Sequence, residues 1–136
     1  MTRGLLLDSH VLLWLAPTPP LLPSRIIDQL RVRNRPLFVS VVGVAELCIK
    51  SALGKLALPI PPREDTAAAF EDLLVNLGIQ PLPLTLSHAA RLRDLPRHHG
   101  DPFDRLMIAQ AMEDDLTFVT HVRAFAAYEG LAVLWI

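Results

Sequence analysis

Four acidic residues stand where a carboxylate could do chemistry: Asp8, Glu46, Asp101 and Asp104. Each follows a strand-like run or belongs to a helix-like one. In open α/β sheets, sites form outside the carboxyl ends of the strands. Asp8 ends the apolar run GLLLD. It reads either as a metal-binding carboxylate or as the N-cap of the segment starting at His10. Glu46 lies in VVGVAELCI, where a carboxylate must face a cleft or find a partner. Lys50, four residues on, could be that partner. Asp101 and Asp104 flank Pro102 and Phe103. Asp101 reads as an N-cap, Pro102 as the first helical residue and Asp104 as a first-turn acid favoured by the positive helix end. That role is compatible with chemistry, because a carboxylate held at a helix start can be aimed into a strand-end crevice.

Acids from separated segments meeting at one cleft would offer hard oxygen ligands suited to Mg²⁺ or Mn²⁺. No cysteine–histidine pattern has zinc spacing. Arg105, next to Asp104, reads as a ligand for a phosphate or for an acid. Lys50 and Lys55 could contact RNA, with a solvated helix face as the default. Arg91, Arg93 and Arg97 form a loose basic group. His10 reads as a packed or partly exposed helix residue, and His98 and His99 as members of a solvated loop. His88 and His121 show no partner spacing. Trp14, Phe38, Phe103, Phe118 and Trp135 sit in apolar segments and read as core, not as base-stacking platforms. Ser40 and Ser51 lack the histidine and acid context of a nucleophile.

The elements that must position these residues follow from apolar periodicity and its breakers. Strands are expected at 4–8, 36–40, 79–84, 116–120 and 132–136. Helices are expected at 10–16, at 24 to about 33 with Ser24 as its cap, at 41–56, 64–78, 86–94 and 102–114, with a short one at 123–128. Pro17, Pro19 and Pro20 stop the first helix, and Gly78 ends the fourth. Strands alternating with helices imply an α/β fold around a mostly parallel sheet covered on both faces. Strand order does not follow from the pattern.

The chain has 136 residues, of which 51% are hydrophobic and 20% charged. Residues 1–136 read as one globular domain with a core of its own. The net charge of −1 provides no global basic field for nucleic acid. One cysteine, Cys48, excludes an internal disulfide and fits a reducing cytoplasm. The leucine-rich N-terminus is interrupted by Asp8, Ser9 and His10, so no apolar stretch reaches membrane-spanning length.

Three blocks, in order, resemble the PIN-domain toxins of the VapC type. They are GLLLDSHVLLWL, VSVVGVAELCIKSALGKLALP and HHGDPFDRLMIAQAMEDDLTFVT, and the ending AFAAYEGLAVLWI is similar too. The resemblance implies a three-layer α/β/α fold and a metal-dependent endoribonuclease, the toxin of a type II toxin–antitoxin module. It implies that Asp8, Glu46 and Asp104 are the metal-site acids, with Mg²⁺ or Mn²⁺ as cofactor, and that Asp101 is an additional catalytic acid. Arg105 and Lys50 would then contact the substrate. The implied partners are RNA, a cognate antitoxin and a second copy of the chain. Two positions depart from the family pattern. Ala45 replaces a frequent Trp, and Val122 stands where a fourth metal-site acid is common. The second departure leaves an alternative, a catalytically weakened PIN domain acting by RNA or protein binding. A phospho-receiver domain is excluded, because VSVVGV supplies no phosphoacceptor Asp and no Lys follows Lys55. A Rossmann nucleotide site lacks its glycine-rich turn.

Overall fold

Leu5, Leu6 and Leu7 are all fully buried, so this run has core on both of its faces and belongs at the centre of a sheet. In the computed structural model, which describes residues 2–32, 35–62 and 65–136, it forms strand β1 (Gly4–Leu7). The other strands are β2 (Leu37–Ser40), β3 (Ile79–Leu82), β4 (Leu116–Thr120) and β5 (Val133–Trp135). They form one five-stranded sheet in the order β3-β2-β1-β4-β5. Every pairing is parallel, so the expected mostly parallel sheet is parallel throughout its described strands. β1 pairs with β2 and β4, and Leu7 lies opposite both Val39 and Val119.

Alternation along the strands divides the core. Leu5, Leu7, Leu37, Val39 and Val119 point to one face, where they pack with α1 (Ser9–Leu15), α2 (Ser24–Leu30), Leu47 of α3 (Val41–Ala52) and α4 (Thr66–Leu77). Leu6, Leu116 and Phe118 point to the other, against Met107, Ile108 and Ala111 of α6 (Pro102–Glu113) and Phe125 of a 3₁₀ turn (Arg123–Ala127). A sixth helix, α5 (Leu86–Arg91), precedes the loop to α6. The three-layer α/β/α expectation is met. Among the described residues no helix is long and apolar enough to cross a membrane.

Several boundaries differ from expectation. The α2 cap position is Pro23 and Ser24 is the first helical residue, with no side-chain cap bond. The α3 helix stops at Ala52 rather than near Leu56, because Gly54 adopts φ 74° and the Lys55 amide turns back to the Lys50 carbonyl. The α4 cap is Asp65, bonded to the Ala68 amide, and Gly78 ends the helix in the left-handed conformation. Arg33 and Glu64, expected at the ends of α2 and α4, lie outside the described residues. Of the aromatic residues expected in the core, Phe118 is fully buried. Phe38, Phe103 and Trp135 pack against its cluster half-buried. Trp14 is half-buried and meets His10 and His121 instead.

Two contacts set the helices over the carboxyl edge of the sheet. A methyl group on Gly43 would come within 3.3 Å of Met107 Sδ and 3.5 Å of Ser9 Cβ, so its bare Cα lets α3 approach both. At the end of β2, the buried Ser40 hydroxyl donates to Gln110 Oε1 of α6 and accepts from the Val42 amide.

Candidate active site

The chain leaves β1 at Asp8, whose amide donates to the Val119 carbonyl of β4 at 2.9 Å. Asp8 occupies the N-cap position of α1, yet its side chain makes no cap bond. Its oxygens are engaged elsewhere. Oδ2 accepts from Thr120 Oγ1 at 2.8 Å, and Oδ1 lies 3.4 Å from Ser9 Oγ. The capping reading of Asp8 therefore does not account for its side chain. Only 3% of the residue is exposed.

Glu46, 4% exposed on the inner face of α3, reaches the same place. Ser9 Oγ lies 3.2 Å from Glu46 Oε1, so a single hydroxyl stands between the two carboxylates. The partner reading of Glu46 holds: Oε2 pairs with Lys50 Nζ at 3.0 Å, while Oε1 faces Ser9. Lys50 is thus committed to an acid and is not merely solvated.

Asp101 and Asp104 come from the start of α6. Asp101 is the N-cap, Pro102 the first residue, and Asp101 Oδ1 accepts from the Asp104 amide at 3.1 Å. Asp104 Oδ2 lies 3.4 Å from His99 Nε2, and His99 Nδ1 bonds the Tyr128 hydroxyl at 2.7 Å. His99 is therefore docked on the site rather than free in a solvated loop. Of the two partners expected for Arg105, the acid is not the one it takes. Its guanidinium donates to the Leu95 and Pro96 carbonyls and to the Tyr128 hydroxyl, tying the preceding loop to α6. Beside Asp104, a cleft of about 540 Å³ is lined by Arg97, His99, Gly100, Pro102 and Arg105 among others.

The electrostatics bind the four acids into one group. Burial, then the charges of Asp101, Asp8 and Glu46, push the Asp104 carboxyl from 3.8 up to about 7, with Lys50 opposing. Burial would also raise Asp8, but hydrogen bonds from His10 and Thr120 and the His10 charge outweigh it and hold the carboxyl below its usual value. His10, with Nδ1 3.8 Å from Asp8 Oδ1, is raised in return. His10 is a partly exposed helix residue, as expected, and it also meets Asp8. Lys50 is raised by its bond to Glu46.

Among the described residues, no group of three or more acid, histidine or cysteine side chains is placed to hold a metal ion. The donor set nonetheless suits a hard divalent cation. It consists of carboxylates, and their mutual repulsion at Asp104 is charge that a cation would offset. The residues sequence reasoning missed are hydroxyls and a histidine: Ser9, Thr120, Tyr128 and the docked His99. Ser9 had a signal in its adjacency to Asp8, and Thr120 in its place at a strand end.

The sequence matches the PIN domain family over residues 5–131. Solved structures with the same fold include VapBC2 from Rickettsia felis, bound to a DNA fragment from their promoter. It shares 14% identity, with 96% of each chain covered and a TM-score of 0.68. DNA-bound VapBC from Salmonella typhimurium shares 19% identity over 96% of each chain, at a TM-score of 0.62. FitAcB from Neisseria gonorrhoeae shares 21% over 96% of each chain, at 0.60. No curated protein sequence matches the chain significantly.

Proposed function

The chain belongs to the PIN domain family, and we propose that it is an endoribonuclease dependent on Mg²⁺ or Mn²⁺, the toxin of a type II toxin–antitoxin module. One observation carries the chemistry: the buried Asp8–Glu46 pair bridged by Ser9, with Asp104 pushed up to about 7 by its neighbours. The likeness to VapBC and FitAcB structures supports the toxin reading and an antitoxin partner. Asp8, Glu46 and Asp104 would hold the ion, with Asp101 fixing the start of α6. Bound Mg²⁺ or Mn²⁺ would supply an acidified water and charge compensation at the phosphate.

The chain's own residues do the rest. Thr120 and Ser9 orient the Asp8 carboxylate, and Ser9 also orients Glu46. Lys50 neutralises Glu46 and supplies a positive charge beside the acids for a substrate phosphate. Arg97 and Arg105 line the cleft next to Asp104, where the RNA backbone would run. In-line attack by water needs no side-chain nucleophile.

Val122 favours a second reading, a weakened PIN domain acting by RNA or protein binding. Its side chain packs against the apolar cluster under α6 and offers no ligand. Cleavage of one RNA across an Mg²⁺ and Mn²⁺ titration separates the two. Asp8→Asn keeps the shape and removes a charge, so it should melt like the parent and lose most cleavage. Equal cleavage by Asp8→Asn, purified free of host nucleases, sinks the catalytic assignment.

A further inference from the structure

Three aromatic side chains lie together at the edge of the site: His10, which also meets Asp8, and Trp14 and His121, which have no part in the roles above. His10 and Trp14 lie four residues apart on α1 and so share a face. His121 directly follows Thr120 at the end of β4. Because β1 and β4 are paired in parallel, residues just past their ends emerge side by side. The ring centroids are 5.0 Å apart for Trp14–His121, 5.8 Å for His10–His121 and 6.2 Å for His10–Trp14. The rings meet tilted or edge-on, at 61°, 77° and 43°, so they do not stack on one another. None belongs to either apolar cluster. His121 is exposed, and His10 and Trp14 are half-buried. The group begins 3.8 Å from the Asp8 carboxylate.

We propose that His10, Trp14 and His121 form a stacking platform for a nucleobase of single-stranded RNA, next to the phosphate presented to the acids. The proposal rests on the ribonuclease reading. Single-stranded RNA is held by stacking its unpaired bases on aromatic faces, and every base has such a face. This chain needs that source of affinity. Its net charge is −1 and its site is acidic, so beyond Lys50, Arg97 and Arg105 the charge of the chain does little to hold the backbone. A base resting on these rings would also fix which phosphate lies over Asp8.

The test uses an Asp104→Asn, Trp135→Phe background, in which RNA stays intact and Trp14 is the only tryptophan. A short mixed-sequence RNA should quench Trp14 emission. His121→Ala should weaken its binding about ten-fold, and His121→Phe should restore it, because the ring matters and not the charge. An abasic ribose-phosphate strand of the same length should leave Trp14 unquenched and be indifferent to His121→Ala. The platform is overturned if RNA and the abasic strand quench alike, or if folded His121→Ala binds RNA as tightly as the background protein. It is equally overturned if His121→Ala spares RNA and weakens only a purified antitoxin, since the surface then serves a protein. If any of these occurs while the unsubstituted chain still cleaves RNA through Asp8, the platform alone fails. If the unsubstituted chain neither cleaves nor binds RNA, the ribonuclease reading falls with it.

Discussion

Asp104 carries charge that the other acids make expensive, and this sets the sign of the pH response. Its carboxyl is raised to about 7 in the fold, so the folded chain keeps a proton that the unfolded chain releases near 3.8. Stability therefore falls as pH rises from about 4 to about 7. His10 acts in the same sense at higher pH. Its contribution is complete below the ordinary value of 6.5 and is lost as pH rises through its raised folded value. Asp8, held low, acts oppositely and only as pH falls below about 4. We expect the metal-free Tm to fall as pH rises from about 4 to about 7, and further as pH passes through the raised His10 value. Asp104→Asn should flatten the lower part of that fall. Mg²⁺ or Mn²⁺ should raise Tm more at the alkaline end, where Asp104 is ionised. Thermal melts across pH, with and without metal, check all three; an identical profile for Asp104→Asn contradicts the assignment.

At the level of elements, the start of α6 combines a cap with a charge, and substitution can separate them. Asparagine caps helices as well as aspartate does. Asp101→Asn should therefore keep stability and most cleavage, whereas Asp101→Ala should cost about 1 kcal/mol and loosen Asp104. If Asp101→Asn loses cleavage while its melt is unchanged, Asp101 contributes through its charge. The turn after β4 offers the converse experiment. The Val122 amide donates to Thr120 Oγ1 at 3.1 Å while its side chain packs on the second apolar cluster. Val122→Asp should raise metal-dependent cleavage, more with Mg²⁺ than with Mn²⁺, and lower Tm by removing that packing and adding repulsion. A folded variant no more active at any metal concentration means that residue 122 does not face the ion. The elements themselves were legible, because apolar runs are punctuated by proline and glycine. Asp8 and Glu46 stood out as carboxylates in apolar surroundings. The hydroxyls that hold them did not, because Thr120 becomes Asp8's neighbour only when β1 and β4 pair. His99 likewise gained a fixed place only through Tyr128, which comes from another segment.

On the scale of the whole molecule, the first apolar cluster comes to the surface between α3, α4 and β3. Val41, Val44, Cys48, Phe70, Leu74 and Pro81 line a groove of about 410 Å³ between α3, α4 and β3. Ile49, Leu53 and Val75 are exposed on the same pair of helices or just beyond. The chain is expected to be a homodimer, and light scattering should give twice the chain mass over a wide concentration range; monomer throughout excludes it. The bond from Thr120 to Asp8 has a consequence in time as well. It spans 112 residues, joining an acid near the start of the chain to a hydroxyl near its end. Synthesis makes the acid early and its anchor late. A half-made chain on the ribosome therefore carries Asp8 without the partner strand that aims it. The arrangement around Asp8 is therefore complete only once β4, more than a hundred residues further along, has been made and paired with β1.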